Sequence, residues 1–241
     1  MPFRMFSLGE TAAYLQMPEE RVEELARRGE IPCERQGKRL TFRHCDIDEW
    51  ASRRVLGMND ESLQEYHRRT SGAWRDLSSD ATVLGSLTRP EWMRTGLTSR
   101  SKAGVIGEMA DLGESTGLVC DAAELKESLT EREKLCSTAL PGGFALLHPK
   151  HHEPYMFLDS FVAVGRTAGR ILFGAPDGEA TDLFFLICSQ EDRLHLHVLA
   201  RLCMICHHTG VLEEMREAGS AAEMHKLLVE AEERVVREAG R

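Results

Sequence analysis

The sequence holds no apolar run long enough to cross a bilayer. Its start, Met1-Pro2-Phe3-Arg4-Met5-Phe6, shows neither the apolar core nor the cleavage site of a secretory leader. These absences predict a soluble, cytoplasmic protein without membrane insertion. Positive charge is also in short supply: 30 Lys and Arg against 39 Asp and Glu leave a formal charge of −9. That balance excludes indiscriminate binding of nucleic acid or anionic lipid through the whole surface, and leaves room only for a local basic patch. Cysteine does not pair by pattern. The seven residues Cys33, Cys45, Cys120, Cys136, Cys188, Cys203 and Cys206 are scattered and odd in number. Without an export signal they read as reduced thiols, mostly small buried hydrophobes, and exclude a disulfide framework. No internal repeat or low-complexity tract interrupts the chain.

What is present suffices for one domain of ordinary size and a smaller one: 241 residues, 42% of them apolar. Residues 1–56 read as a compact first unit. Ser7 with Glu10 three residues on is a capping-box pattern, and Leu8, Thr11, Ala12 and Leu15 follow at helical spacing. Pro18 opens a second helix carrying Val22, Leu25 and Ala26, and Gly29 closes it. Residues 31–42 then predict a two-stranded ribbon turning near Gly37, and Asp46 opens a third helix with Ile47, Trp50 and Ala51 inward. Residues 57–80 turn polar and irregular and read as a linker, with a short helix near Glu61–Arg69.

Residues 81–241 form the second unit. Ala103–Leu112 and Asp121–Glu133 predict amphipathic helices, Ser160–Arg166 and Leu183–Cys188 predict strands, and Arg193–His207 and Ala221–Ala239 predict helices. Interleaved strands and helices give an α/β layer architecture. Within it, Pro141-Gly142-Gly143 leads into the apolar run Phe144-Ala145-Leu146-Leu147 and then His148. A glycine pair before such a run predicts a turn feeding a buried strand, with His148 where the strand leaves the core and one ring nitrogen facing outward. A neutral imidazole held at one nitrogen is what a nucleophilic histidine requires.

The stretch Arg132–Pro149 resembles the type-2 EIIA domain of the bacterial phosphotransferase system, in its fructose, mannitol and nitrogen-regulatory branch. The resemblance continues through Ile171–Gly178, Thr181–Ile187 and His195-Leu196-His197-Val198-Leu199-Ala200-Arg201-Leu202, and spans about Thr82 to Val236 in order. It implies a mixed β-sheet flanked by helices. It further implies that His148 accepts a phosphoryl group from the phosphohistidine of the small carrier HPr. His195 is the implied stabilising partner, in preference to His197, which lies about 200° around the same helix. The family's usual asparagine between the glycines is absent, Leu147 stands where proline precedes the histidine, and Pro149-Lys150 replaces the pair that follows.

Ser137 and Thr138, ahead of the glycines, are candidate hydroxyl donors to the phosphoryl group, and Lys150 is a candidate cation beside it. No metal and no other cofactor is expected. Cys203-Met204-Ile205-Cys206-His207 has the spacing of a haem-attachment motif but reads as part of a buried helix face, and His151, His152 and Glu153 read as a polar loop.

The first unit resembles the excisionase and MerR-type winged helix-turn-helix, on Leu8–Leu15, Arg27–Pro32 and Asp46–Trp50. In that fold the second helix enters the major groove and the ribbon touches phosphates. Arg35, Gln36, Lys38 and Arg39 at the ribbon tip, with Arg43 nearby, suit DNA. The second helix does not: Glu19, Glu20, Glu23 and Glu24 would meet phosphates with like charge. The unit's ten basic and ten acidic residues cancel. Either DNA or a regulated protein is the expected partner, and a separate EIIB is the alternative recipient of the phosphoryl group.

Overall fold

The computed structural model describes residues 4–37, 39–59, 61–66, 82–150 and 155–239. Its first unit contains β1 (Met5–Ser7), α1 (Leu8–Leu15), α2 (Glu19–Arg28), β2 (Glu34–Gln36), β3 (Arg39–Arg43) and α3 (His44–Leu56). Local chemistry sets the boundaries. The Glu10 amide donates to Ser7 Oγ at 3.3 Å while the Ser7 amide donates to Glu10 Oε2 at 2.8 Å, the reciprocal cap that opens α1. Gly29, at φ 71°, ends α2. The ribbon gains a third strand, giving the antiparallel order β1-β3-β2. β1 is only three residues long, too short for an alternating pattern to register.

Beyond α3, residues 61–66 form a further turn of helix, α4. Asn59 caps it by accepting from the Ser62 amide at 2.9 Å, and Leu63 and Tyr66 are buried. The stretch read as a linker from residue 57 therefore begins as packed structure. Its remainder, residues 67–80, lies outside the described residues.

The second unit comprises α5 (Leu84–Leu87), a 3-10 turn at Pro90–Trp92, β4 (Met93–Leu97), α6 (Lys102–Ser115), α7 (Ala122–Leu135), β5 (Ala139–Leu140), β6 (Phe144–Leu147), β7 (Phe161–Ile171), β8 (Thr181–Cys188), α8 (Asp192–His208), α9 (Val211–Glu217) and α10 (Ala221–Ala239). Five strands make one mixed sheet in the order β4-β7-β8-β6-β5. The β4/β7 and β6/β8 pairs are parallel, and the β7/β8 and β5/β6 pairs are antiparallel. Strand β8 is apolar on both faces because both are covered. Phe184, Leu186 and Cys188 pack with Val105, Ile106 and Met109 of α6 and Leu125 and Leu129 of α7. Leu183, Phe185 and Ile187 belong to the opposite layer with Leu199 and Leu202 of α8.

Helix α8 is buried around almost its whole circumference, the signature of a helix covered on several sides. One of its neighbours is α3 of the first unit, another α10. Phe6, Val22, Leu25, Phe42 and Ile47 of the first unit share one continuous apolar core with α8. The two units, read from sequence as separate bodies, are packed together through the helix that carries His195. Among the described residues no helix is long and apolar enough to cross a membrane.

Candidate functional site

The turn before β6 depends on glycine twice. Gly142 and Gly143 adopt φ 97° and 80°, and a Cβ at Gly143 would meet Arg216 Nη2 at 2.8 Å and Ala180 O at 3.2 Å. The four residues of β6 are all buried. Pro149 then supplies no N–H and confines His148 to extended backbone, so the strand ends with the imidazole at its exit.

Both ring nitrogens of His148 have defined partners. Nδ1 lies 2.9 Å from Leu146 O. A carbonyl can only accept, so Nδ1 carries the proton and Nε2 carries the lone pair. That lone pair receives the Nε–H of Arg132 at 2.9 Å. The Arg132 guanidinium also donates through Nη1 to Cys136 O at 3.2 Å and to Cys136 Sγ at 3.3 Å. Its third nitrogen, Nη2, is buried and has no hydrogen-bond partner among the described residues. A buried, unmatched cationic N–H is costly, by about 1–3 kcal/mol or more, and such a group calls for a specific explanation.

Sequence reading passed over Arg132 although a signal was there. Leu125, Leu129 and Arg132 recur at i, i+4 and i+7 of α7, so an arginine occupies the core-facing stripe of an amphipathic helix. It is only 1% exposed.

His195 lies beside His148, with ring centroids 4.9 Å apart and planes tilted by 51°. His197 turns elsewhere on the helix, its Nε2 at 3.3 Å from Arg201 Nη2. Arg201 in turn pairs with Glu232 at 2.9 Å. Of the two candidates His195 and His197, His195 is the one whose ring lies beside His148. Helix α8 begins at Asp192, and the His195 amide already bonds Glu191 O at 3.0 Å, so no free backbone donor remains at that position.

The other expected phosphoryl contacts, Ser137, Thr138 and Lys150, have partners of their own in this arrangement. Ser137 Oγ donates to Phe173 O at 3.1 Å, and Thr138 Oγ1 donates to Glu133 Oε2 at 2.6 Å. Lys150 Nζ lies 3.5 Å from Glu131, and its amide donates to Ser128 Oγ. Glu133 itself is bound by Lys102 at 2.6 Å. These groups brace the loop and are committed to carbonyl and carboxylate partners, whereas Arg132 supplies the cation that touches His148. The expectation of an outward-facing ring nitrogen fails. His148 is 2% exposed and His195 0%. The His195 Nε2 sits 3.2 Å from Ser52 Oγ, on α3 of the first unit. Sequence could not supply that contact, because it joins residues of two units read apart.

In the first unit Arg35 and Arg39 are exposed on the ribbon, while Arg43 pairs with Glu34 at 2.8 Å. Lys38 and the side chain of Gln36 lie outside the described residues. On α2, Glu24 is paired with Arg21 and Arg28, contacts that hold its carboxyl below the usual range. Cys203 and Cys206 are buried in α8. Burial pushes the Cys203 thiol up to about 12 and raises that of Cys206 too, which opposes the thiolate needed for metal or haem chemistry. The His207 ring packs edge-on against Phe144, with centroids 5.6 Å apart. His151, His152 and Glu153 lie outside the described residues.

Comparison with known proteins places these observations. The family described as "Phosphoenolpyruvate-dependent sugar phosphotransferase system, EIIA 2" matches residues 86–231, and a helix-turn-helix domain matches residues 5–55. The nitrogen regulatory protein of Klebsiella oxytoca is 28% identical over 164 residues, covering 64% of this chain and 94% of that protein. The fructose-specific EIIABC component of Bacillus subtilis (strain 168) is 27% identical over 130 residues, or 53% of this chain, and the match spans only 20% of that longer protein. The crystal structure of the nitrogen regulatory protein IIA-Ntr from Neisseria meningitidis aligns with a TM-score of 0.53 at 28% identity, covering 60% of this chain and 97% of that one.

Proposed function

This chain belongs to the type-2 EIIA family of the phosphoenolpyruvate-dependent sugar phosphotransferase system, and we propose that it is a regulatory phosphocarrier accepting a phosphoryl group from HPr on Nε2 of His148. The observation that carries this reading is the tautomer. Leu146 O holds the proton on Nδ1, so the ring is neutral and the lone pair on Nε2 is the nucleophile. In the step, that lone pair forms the new N–P bond as the N–P bond to the HPr imidazole breaks. The departing imidazole keeps the bonding electrons, and no proton need leave His148.

Arg132 Nε yields its place on Nε2 and, with the buried Nη2, turns to the equatorial oxygens, where charge accumulates in the transition state. His195 is a second donor on the neighbouring side. The chain acts in the cytoplasm, where HPr is found, and the helix-turn-helix unit is its output module, directed at DNA or a regulated protein. Exposed Arg35 and Arg39 favour DNA, and the acidic face of α2 favours a protein.

A second reading draws on the burial of His148: the EIIA unit serves as an interaction module and carries no phosphate. A single experiment separates the two. On incubation with phosphoenolpyruvate, enzyme I and HPr, the protein is expected to gain acid-labile phosphate, and His148→Asn to gain none. Absence of phosphate on the unaltered protein supports the module reading, and onward transfer to an EIIB cysteine makes it a transport component.

A further inference from the structure

We propose that the helix-turn-helix unit is a cover over the phosphoryl-acceptor site, so that docking of α3 on α8 and phosphorylation of His148 exclude one another. The inference rests on the phosphocarrier reading above and adds to it a switch internal to the chain. Three observations meet at one place. The Ser52 hydroxyl lies 3.2 Å from Nε2 of His195, and the tilted His195 ring lies beside that of His148. Ser52 and Val55 of α3 are buried, and α3 packs on α8, whereas Asp48 one turn earlier accepts from Tyr14 Oη at 2.7 Å within the first unit. The cores of the two units are continuous through α8.

The acceptor nitrogen cannot do its work in this arrangement. Transfer between two proteins requires the nucleophile to approach the donor phosphorus to about 3–3.5 Å. A side chain that is 2% exposed cannot meet a second macromolecule. The contact on His195 comes from α3, so the element to be displaced for access from that side is the first unit. The product is incompatible as well. A phosphoryl group brings a charge of about −1.5 to −2 with three acceptor oxygens. It would take the space now filled by the Arg132 contact, in a site where the rings of both His148 and His195 are sealed from solvent. Burying that charge while α3 stays docked on His195 is unfavourable on desolvation grounds. Phosphorylation therefore biases the chain toward an undocked first unit with α3 exposed, and docking lowers the fraction of chains able to receive phosphate.

The test uses the full chain. Ser52→Arg places a long cation where only a hydroxyl fits, and Val55→Asp charges the same stripe one turn away; circular dichroism establishes that each variant keeps its fold. Two readouts are taken on each, carbethoxylation of His148 by diethyl pyrocarbonate, located by mass spectrometry, and the initial rate of phosphorylation by phospho-HPr. Both should rise by about tenfold or more relative to the unaltered protein as the competent fraction grows. Equal labelling and equal rates in all three proteins overturn the cover. Raised labelling with no phosphate on any of them overturns the phosphocarrier reading, and the switch with it, while a rise in both sustains them together. Should both variants unfold, hydrogen exchange at the α3 amides of the unaltered protein before and after phosphorylation decides the matter: faster exchange supports the switch, and unchanged exchange overturns it.

Discussion

At the scale of single residues, Arg132 and His148 form a pair whose two members explain each other. The imidazole gives Arg132 an acceptor in the core, and the guanidinium occupies the one lone pair through which the ring can react. A planar fork with separate Nε and Nη donors can pass from nitrogen to phosphoryl oxygens without losing contact, which a single ammonium cannot do. Arg132→Lys should therefore slow phosphorylation of His148 by about 10²–10³ at saturating phospho-HPr while leaving the HPr dissociation constant close to unchanged. Rapid-quench transfer together with a binding titration checks both quantities. A lysine variant as fast as the parent would remove Arg132 from the account. This residue also shows what a sequence hides: a motif search stops at the histidine, whereas the arginine sixteen positions earlier is visible only as a polar break in the apolar stripe of α7.

At the scale of elements, the two halves of the fold were unequally legible. Helices α1 and α2 were readable because Ser7 and Pro18 marked their starts, and α6 and α7 because apolar residues recur in them at helical spacing. Strand β8 was readable from the apolar run Leu183–Cys188, which the structure extends back to Thr181. Strands β1 and β5, three and two residues long, were not, because no periodicity survives at that length. Nor was the clamp at the end of the chain. Glu232 on α10 accepts from the amides of Val83 and Leu84, both at 2.8 Å, and pairs with Arg201 of α8, tying three distant segments together.

Burial pushes the Glu232 carboxyl above its ordinary value of 4.5 in spite of Arg201 and those amides, and burial likewise lowers Arg201. A carboxyl with a higher value folded than unfolded keeps its proton longer in the folded state. Its contribution is therefore most favourable at low pH and declines as pH rises from 4.5 through the raised folded value. Glu232→Gln should flatten that decline and, by leaving Arg201 buried without its counter-charge, lower stability at neutral pH by about 3–5 kcal/mol. Denaturant unfolding at several pH values measures both effects, and an unaltered midpoint at neutral pH would contradict them.

At the scale of the whole molecule, the histidine-bearing helix α8 is shared property, covered by the sheet, by α10 and by α3. Composition and motif order gave both units and their sequence in the chain, yet nothing in either unit's own pattern announced the other. An interface between two folded bodies is written in residues such as Ser52, whose type is unremarkable and whose meaning comes only from what it faces. His148, which a reading of the second unit by itself placed in the open, lies one ring away from that interface, beside the His195 that Ser52 contacts.

Everything in the account passes through Nε2 of His148. The most direct measurement is nitrogen NMR of histidine-labelled protein after phosphorylation by phosphoenolpyruvate, enzyme I and HPr, which reports both the residue and the ring position carrying phosphorus. The account predicts one phosphorylated imidazole, at residue 148, with phosphorus on Nε2 and the proton retained on Nδ1. Phosphorus on Nδ1, phosphorus on a different histidine, or no phosphorylated histidine in either the parent protein or Ser52→Arg would contradict it.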